Sequence, residues 1–189
     1  WISYIALYYI VLIFVDISAT KENRNPDYGL IKNIASVSRM PLCYGGGINN
    51  LDQIEKIINL GVEKISICSA AILNKSLVKE AAATFGKQSI VGCLDIKYSK
   101  ELKKYQVYTH NGNKNLNLGL ESCIEFLVTN GVGEILINNI DLDGTYGGFN
   151  LDLISKITEL TPVPVSICGG ASSYLDIKNL WKNTNISGI

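Results

Sequence analysis

Three aspartates close apolar runs in this chain: Asp16 ends FVD, Asp95 ends GCLD and Asp141 ends NNID. A carboxylate at the end of a buried strand is costly unless it is paired or put to use. Carboxylates that face one another across a pocket can do general acid–base chemistry. The structural alternative for each is a loop cap. Lys97, two residues beyond Asp95, favours the chemical reading there. Glycines form the second set. Gly45, Gly46 and Gly47 follow one apolar run, and Gly169 and Gly170 follow another. Such glycines bare backbone N–H groups and let an anion approach closely, and a helix starting just after them favours phosphate. Gly46 and Gly47 with Ser69 would make one phosphate pocket. Asp143, Gly144 and Thr145 with Gly169 and Gly170 would make a second. Two pockets suit a substrate phosphorylated at both ends; the alternative is ordinary turn glycines. Lys64 and Glu134 stand at the opposite ends of their runs, where they could point inward or lie solvated on the rim.

The elements that must position these residues alternate between short β-branched runs and amphipathic stretches. The pattern predicts strands at Val11–Asp16, Pro41–Tyr44, Lys64–Cys68, Ser89–Asp95, Glu134–Asn139 and Pro164–Cys168, with another starting at Ser187. Helices are expected at Asp27–Ser38, from the Asn50 cap to Gly61, and at Ser76–Phe85, Leu118–Thr129, Leu151–Leu160 and Ser173–Lys182. The insertion Ile96–Leu116 holds the run Gln106–Thr109 followed by Asn111-Gly112, a hairpin signal. Alternation of strand and helix means βαβ units and a parallel sheet. A doubly wound sheet and a (β/α)8 barrel both satisfy it. No GxGxxG follows the first strand, and polar or glycine residues end nearly every strand. This spread of site residues around a ring favours the α/β barrel.

The chain also resembles itself. Val15–Thr20 (VDISAT) matches Ile140–Thr145 (IDLDGT) at an offset of 125, and Pro41–Gly47 (PLCYGGG) matches Pro164–Gly170 (PVSICGG) at 123. Strand–Asp–loop followed by strand–Gly–Gly, twice, reads as two duplicated half-barrels. A complete barrel needs ~250 residues; the 189 present here read as a single partial barrel domain, residues 1–189, holding about strands 2 to 8.

Composition limits the alternatives. With 17 basic and 17 acidic residues the chain has no net charge, which argues against nucleic acid as a partner. The mean hydropathy of +0.19 fits strands covered on both faces. Five cysteines, none in a CxxC motif, read as reduced residues of a cytoplasmic protein. The single histidine, His110, leaves no multi-histidine metal site and little scope for nucleophile–histidine catalysis. The apolar Trp1–Val15 is shorter than the ~18–20 residues of a membrane span and reads as a buried helix end running into the first strand.

The motifs LIFVDISAT (12–20), PLCYGGGI (41–48), VEKISICSAAI (62–72), TFGKQSIVGCLDIK (84–97), VYTHNGNK (107–114), GVGEILINNIDLDGT (131–145) and PVSICGGAS (164–172) resemble the cyclase (HisF) subunit of imidazole glycerol phosphate synthase, of histidine biosynthesis. The resemblance implies a (β/α)8 barrel of the ribulose-phosphate-binding type and no cofactor or metal. It implies a glutaminase partner whose ammonia passes through the barrel to a ribulosyl aminoimidazole carboxamide bis-phosphate. It places Asp95 as one of two catalytic aspartates, with Asp16 at the mouth near the reacting groups. Gly46, Gly47, Ser69, Asp143, Gly144, Thr145, Gly169 and Gly170 fall on the phosphate loops. Lys64 and Glu134 fall on the ammonia gate, and Glu63 on the rim that faces the glutaminase.

The departures are specific. The family's other catalytic aspartate belongs to an LDV first strand, and the gate has a first-strand arginine; neither motif stands in this sequence. Val11 replaces a gate acid, and Cys68 replaces an asparagine of the phosphate loop. PLCYGGGI, SAAI and the terminal NISGI resemble a paralogous branch that supplies ammonia for acetamidino sugars of surface polysaccharides. An inactive fragment is the third reading.

Overall fold

The computed structural model describes residues 11–110 and 112–189. The expected helix end at Trp1–Ile10 lies outside the described residues. Among the described residues eight strands are formed: β1 (Leu12–Val15), β2 (Leu42–Gly45), β3 (Lys64–Ile67), β4 (Ile90–Ser99), β5 (Lys104–Thr109), β6 (Lys114–Gly119), β7 (Glu134–Asn139) and β8 (Val165–Cys168). The helices are α1 (Ile17–Lys21), α2 (Tyr28–Val37), α3 (Leu51–Asn59), α4 (Ser69–Leu73), α5 (Leu77–Phe85), α6 (Leu120–Thr129), α7 (Leu151–Leu160) and α8 (Tyr174–Asn183).

Strands β1, β2, β3, β4, β7 and β8 lie side by side, all parallel, in chain order. A doubly wound sheet reverses its order at a switch point; this one never does. A bridge from Ser166 to Gly188 adds the start of a further parallel strand, as the sequence predicts. The arrangement is an incomplete (β/α)8 barrel. Two apolar layers hold it. The larger packs the outward strand faces, among them Ile65, Ile67, Ile90 and Ile135, against the helices. The smaller fills the inside of the arc with Cys43, Val91 and Leu136, and Cys93 packs on it. Helix α3 illustrates the local logic. The Asn50 side chain accepts from the Gln53 amide at 3.0 Å to start it. Ile54 and Ile57 turn inward and are fully buried. Gly61, at φ +97°, follows its last turn.

Three differences from the sequence reading matter. β4 does not stop at Asp95 but runs to Ser99, because its outer half leaves the parallel sheet and pairs antiparallel with β5. Tyr98 and Tyr105 meet edge to face across that pair, 5.2 Å between centroids. The expected hairpin is formed by β5 and β6, β4 extends it into a three-stranded meander, and its last strand holds Leu118 and Gly119 out of α6. Finally, α1 and α4 have only five residues each, too few to leave a helical period. Among the described residues no helix is long and apolar enough to cross a membrane.

Candidate active site

Residues two apart on a strand share a face, so Cys93 and Asp95 point the same way from β4, into the arc. Asp95 is 8% exposed. In register beside it on β7 is Asn138, whose Nδ2 donates to Asp95 Oδ1 at 2.9 Å. Burial pushes the Asp95 carboxyl above the usual carboxylate range; hydrogen bonds from Asn138 and Cys68 and the charge of Lys97 partly offset this. Lys97 itself is engaged by the meander: its Nζ donates to the Gly112 carbonyl at 3.0 Å and lies 5.0 Å from the Tyr108 ring centroid. The buried Oδ1 atoms of Asn138 and Asn139 have no hydrogen-bond partner among the described residues.

On the β2–β3 side of Asp95 a cavity of about 330 Å³ is lined by Gly46, Gly47, Ser69, Arg24 and His110, among others. The first of the expected phosphate sets is thus gathered in one place. Gly47 sits at φ +67°, and a Cβ there would stand 2.8 Å from the Arg24 carbonyl. The Ser69 hydroxyl accepts from the His110 amide at 3.3 Å, tying the meander turn to the cavity.

The second set packs loop against loop. Thr145 Oγ1 donates to the Leu142 carbonyl at 2.8 Å, and the Gly148 amide donates to the Gly170 carbonyl at 2.8 Å. Gly144 stands at φ +71° in open space. A Cβ on Gly169 would stand 2.6 Å from the Asn139 carbonyl and 3.3 Å from the Asp143 amide. The internal repeat is visible here in atoms. Gly46 presses on the Asp16 carbonyl as Gly169 presses on that of Asn139, and Gly47 on Arg24 as Gly170 on Gly148. Each glycine pair lets one strand end approach the loop after the preceding strand.

Asp16 is occupied differently from Asp95. It caps α1, accepting from the Ser18 and Ala19 amides at 3.2 Å each. Arg24 grips it in a two-pronged ion pair of 2.8 and 2.9 Å. No hydrogen bond joins it to Asp95. Asp141, the third strand-end acid, accepts from the Tyr98 amide at 2.7 Å and holds the β4 arm. At the other end of the arc, Lys64 Nζ meets Glu134 Oε2 at 2.7 Å, and Ser166 Oγ donates to Glu134 Oε1 at 2.8 Å. This spans β3 to β8 across the interior. Glu63 lies exposed on that rim, its carboxylate accepting from the Leu42 amide at 2.6 Å.

Sequence reasoning missed Arg24 and Asn138. Arg24 sits in a loop without periodicity, eight residues from its partner. Asn138 is one strand away from Asp95, and only the register pairs them. The sequence also assigns all five cysteines to an inert role, but Cys68, Cys93 and Asp95 stand together at the mouth.

The family described as histidine biosynthesis protein matches residues 3–189. The chain belongs to that family. A Leptospira borgpetersenii protein, provisionally named imidazole glycerol phosphate synthase subunit HisF, is 42% identical over 178 residues, 94% of this chain and 70% of its own length. A Vibrio vulnificus protein with the same kind of provisional name is 42% identical over 177 residues, 94% of this chain and 68% of its own. The imidazole glycerol phosphate synthase subunit HisF of Bacillus pumilus is 40% identical over 162 residues, 86% of this chain and 64% of its own.

Proposed function

We propose that the chain is the cyclase subunit of an imidazole glycerol phosphate synthase. It takes ammonia from a glutaminase subunit and, acting in the cytoplasm, converts a ribulosyl aminoimidazole carboxamide bis-phosphate to imidazole glycerol phosphate and aminoimidazole carboxamide ribotide. The observation that carries this reading is Asp95. It is buried within β4 beside a glycine-lined cavity, oriented by Asn138, with its proton affinity raised by burial. A carboxyl in that condition can give and take a proton as the imidazole ring closes.

In this reading Gly46, Gly47 and Ser69 hold one phosphate, and Asp143, Gly144, Thr145, Gly169 and Gly170 hold the other. Asp16 acts through Arg24, which it fixes at the wall of the first phosphate cavity. The Lys64–Glu134 pair gates ammonia entering from the opposite end, and Glu63 faces the glutaminase. Residues 1–189 serve as one domain. A second reading rests on Cys68, which stands where the family's phosphate loop carries asparagine: a paralogous subunit that only passes ammonia on, for acetamidino sugar formation.

The test uses ammonium salt as the nitrogen source and follows consumption of the bis-phosphate. Asp95→Asn is expected to abolish turnover while leaving substrate affinity within a few-fold. Turnover retained in Asp95→Asn overturns the role of Asp95. A wild-type chain that binds glutaminase but never closes the ring favours the second reading.

A further inference from the structure

Cys68, Cys93 and Asp95 make up a donor set that acid–base catalysis does not need. The β3–β4 register sets Ile67 beside Gly92, so Cys68, one residue on, stands level with Cys93. Cys93 and Asp95 share the inward face of β4. One donor atom from each, two sulfurs and a carboxylate oxygen, lies within 4.8 Å of the others. Both thiols are free.

A tetrahedral zinc ion holds sulfur at ~2.3 Å and oxygen at ~2.0–2.2 Å, which sets donor–donor separations of roughly 3.6–3.8 Å. Closing this set on an ion therefore shortens any separation by about 1 Å at most, shared between two side chains. Cys68 also lines the 330 Å³ cavity, which supplies an entry path. Asn138 already bonds one Asp95 oxygen, Oδ1, and so orients the carboxylate for a ligand on the other, as outer partners of metal sites do. Two sulfurs and one oxygen suit a soft or borderline ion, not magnesium or calcium.

We propose that Cys68, Cys93 and Asp95 bind a divalent cation of the zinc class at the barrel mouth, with its fourth position turned to the cavity. Binding replaces the two thiol protons, which leave to solvent, by two metal–sulfur bonds; no electrons are transferred. The bound ion takes the lone pair that Asp95 would use on substrate, so metal binding and ring closure compete. The binding itself does not depend on the role proposed for Asp95.

Cobalt(II) is the probe, added to the reduced, untagged full-length chain, with zinc added afterwards. The expected result is a thiolate-to-cobalt absorption band that saturates at one equivalent and disappears when zinc displaces the cobalt. Cys68→Ser and Cys93→Ser should each weaken binding by roughly 100-fold or more, beyond the 10–100-fold that loss of an outer partner costs. Asp95→Asn should weaken it while keeping the band. Cys123→Ser, in the core layer between α6 and the strands and away from the donor set, should change nothing, and circular dichroism checks that each variant folds. A wild-type chain without the band overturns the proposal, as does a band that survives unchanged in Cys93→Ser.

Discussion

At the scale of single residues, Asp95 trades stability for its position. Its carboxyl is raised by burial, so the folded chain holds that proton more tightly than the unfolded chain does. Folding is thus least penalised below the ordinary carboxylate pKa, and the stability is lost as pH rises through the raised folded value. Asp95→Asn removes the penalty and keeps an oxygen for Asn138. It should raise the melting temperature at pH 7, and the gain should shrink as pH falls into the carboxylate range; calorimetry at several pH values checks this. An equal gain at every pH would mean that the charge is not the cause. Asp95 was legible in the sequence because an acid directly after GCL contradicts its surroundings. Asn138 was not: within INNID it reads as one polar residue among several, and its meaning comes from β7 lying next to β4. Arg24 was hidden for the same kind of reason, since the carboxylate it holds is eight residues away across a capped turn.

At the scale of elements, the bottom of the arc is joined by one acid with two partners. Glu134 links β3 through Lys64 and β8 through Ser166. Lys64→Met would leave Glu134 largely buried without its cation. The expected cost is about 2–3 kcal/mol, somewhat under the ~3–5 kcal/mol of a fully buried pair, because Lys64 is a quarter exposed. Adding Glu134→Gln to it should recover most of that loss. Denaturant unfolding of the two single variants and the double variant measures the coupling; a double variant no better than Lys64→Met would dissolve the pair. The strands carrying these residues were legible to within a residue or two, because β-branched runs between glycines and caps leave little choice. The β4 arm was not. Alternation continues unbroken through Ile96 and Tyr98, and nothing local tells where a strand exchanges a parallel neighbour for an antiparallel one.

At the scale of the whole molecule, the five thiols report on the fold. Cys168 is exposed; Cys43 and Cys123 are buried, their thiols pushed up by burial to about 12 and about 11. An aromatic disulfide reagent at pH 8 should therefore modify Cys168 first and Cys43 and Cys123 last, and reach all five quickly only in denaturant. Fast labelling of Cys43 in the native chain would show that the inner layer is open. The duplicated plan was also legible at this scale, and the paired glycine contacts give it physical form. Those contacts make the two ends of the mouth alike in backbone but not in charge. The loop against Gly46 and Gly47 carries the basic residues Lys21 and Arg24, while its counterpart against Gly169 and Gly170, residues 140–150, carries Asp141 and Asp143 and no basic residue. The duplication thus yields two matching loop contacts at the mouth, and the differing side chains of the two loops make their charge unequal. A two-ended anion laid across such a mouth meets unequal poles, and which way round it lies is decided by the residues that the two copies do not share.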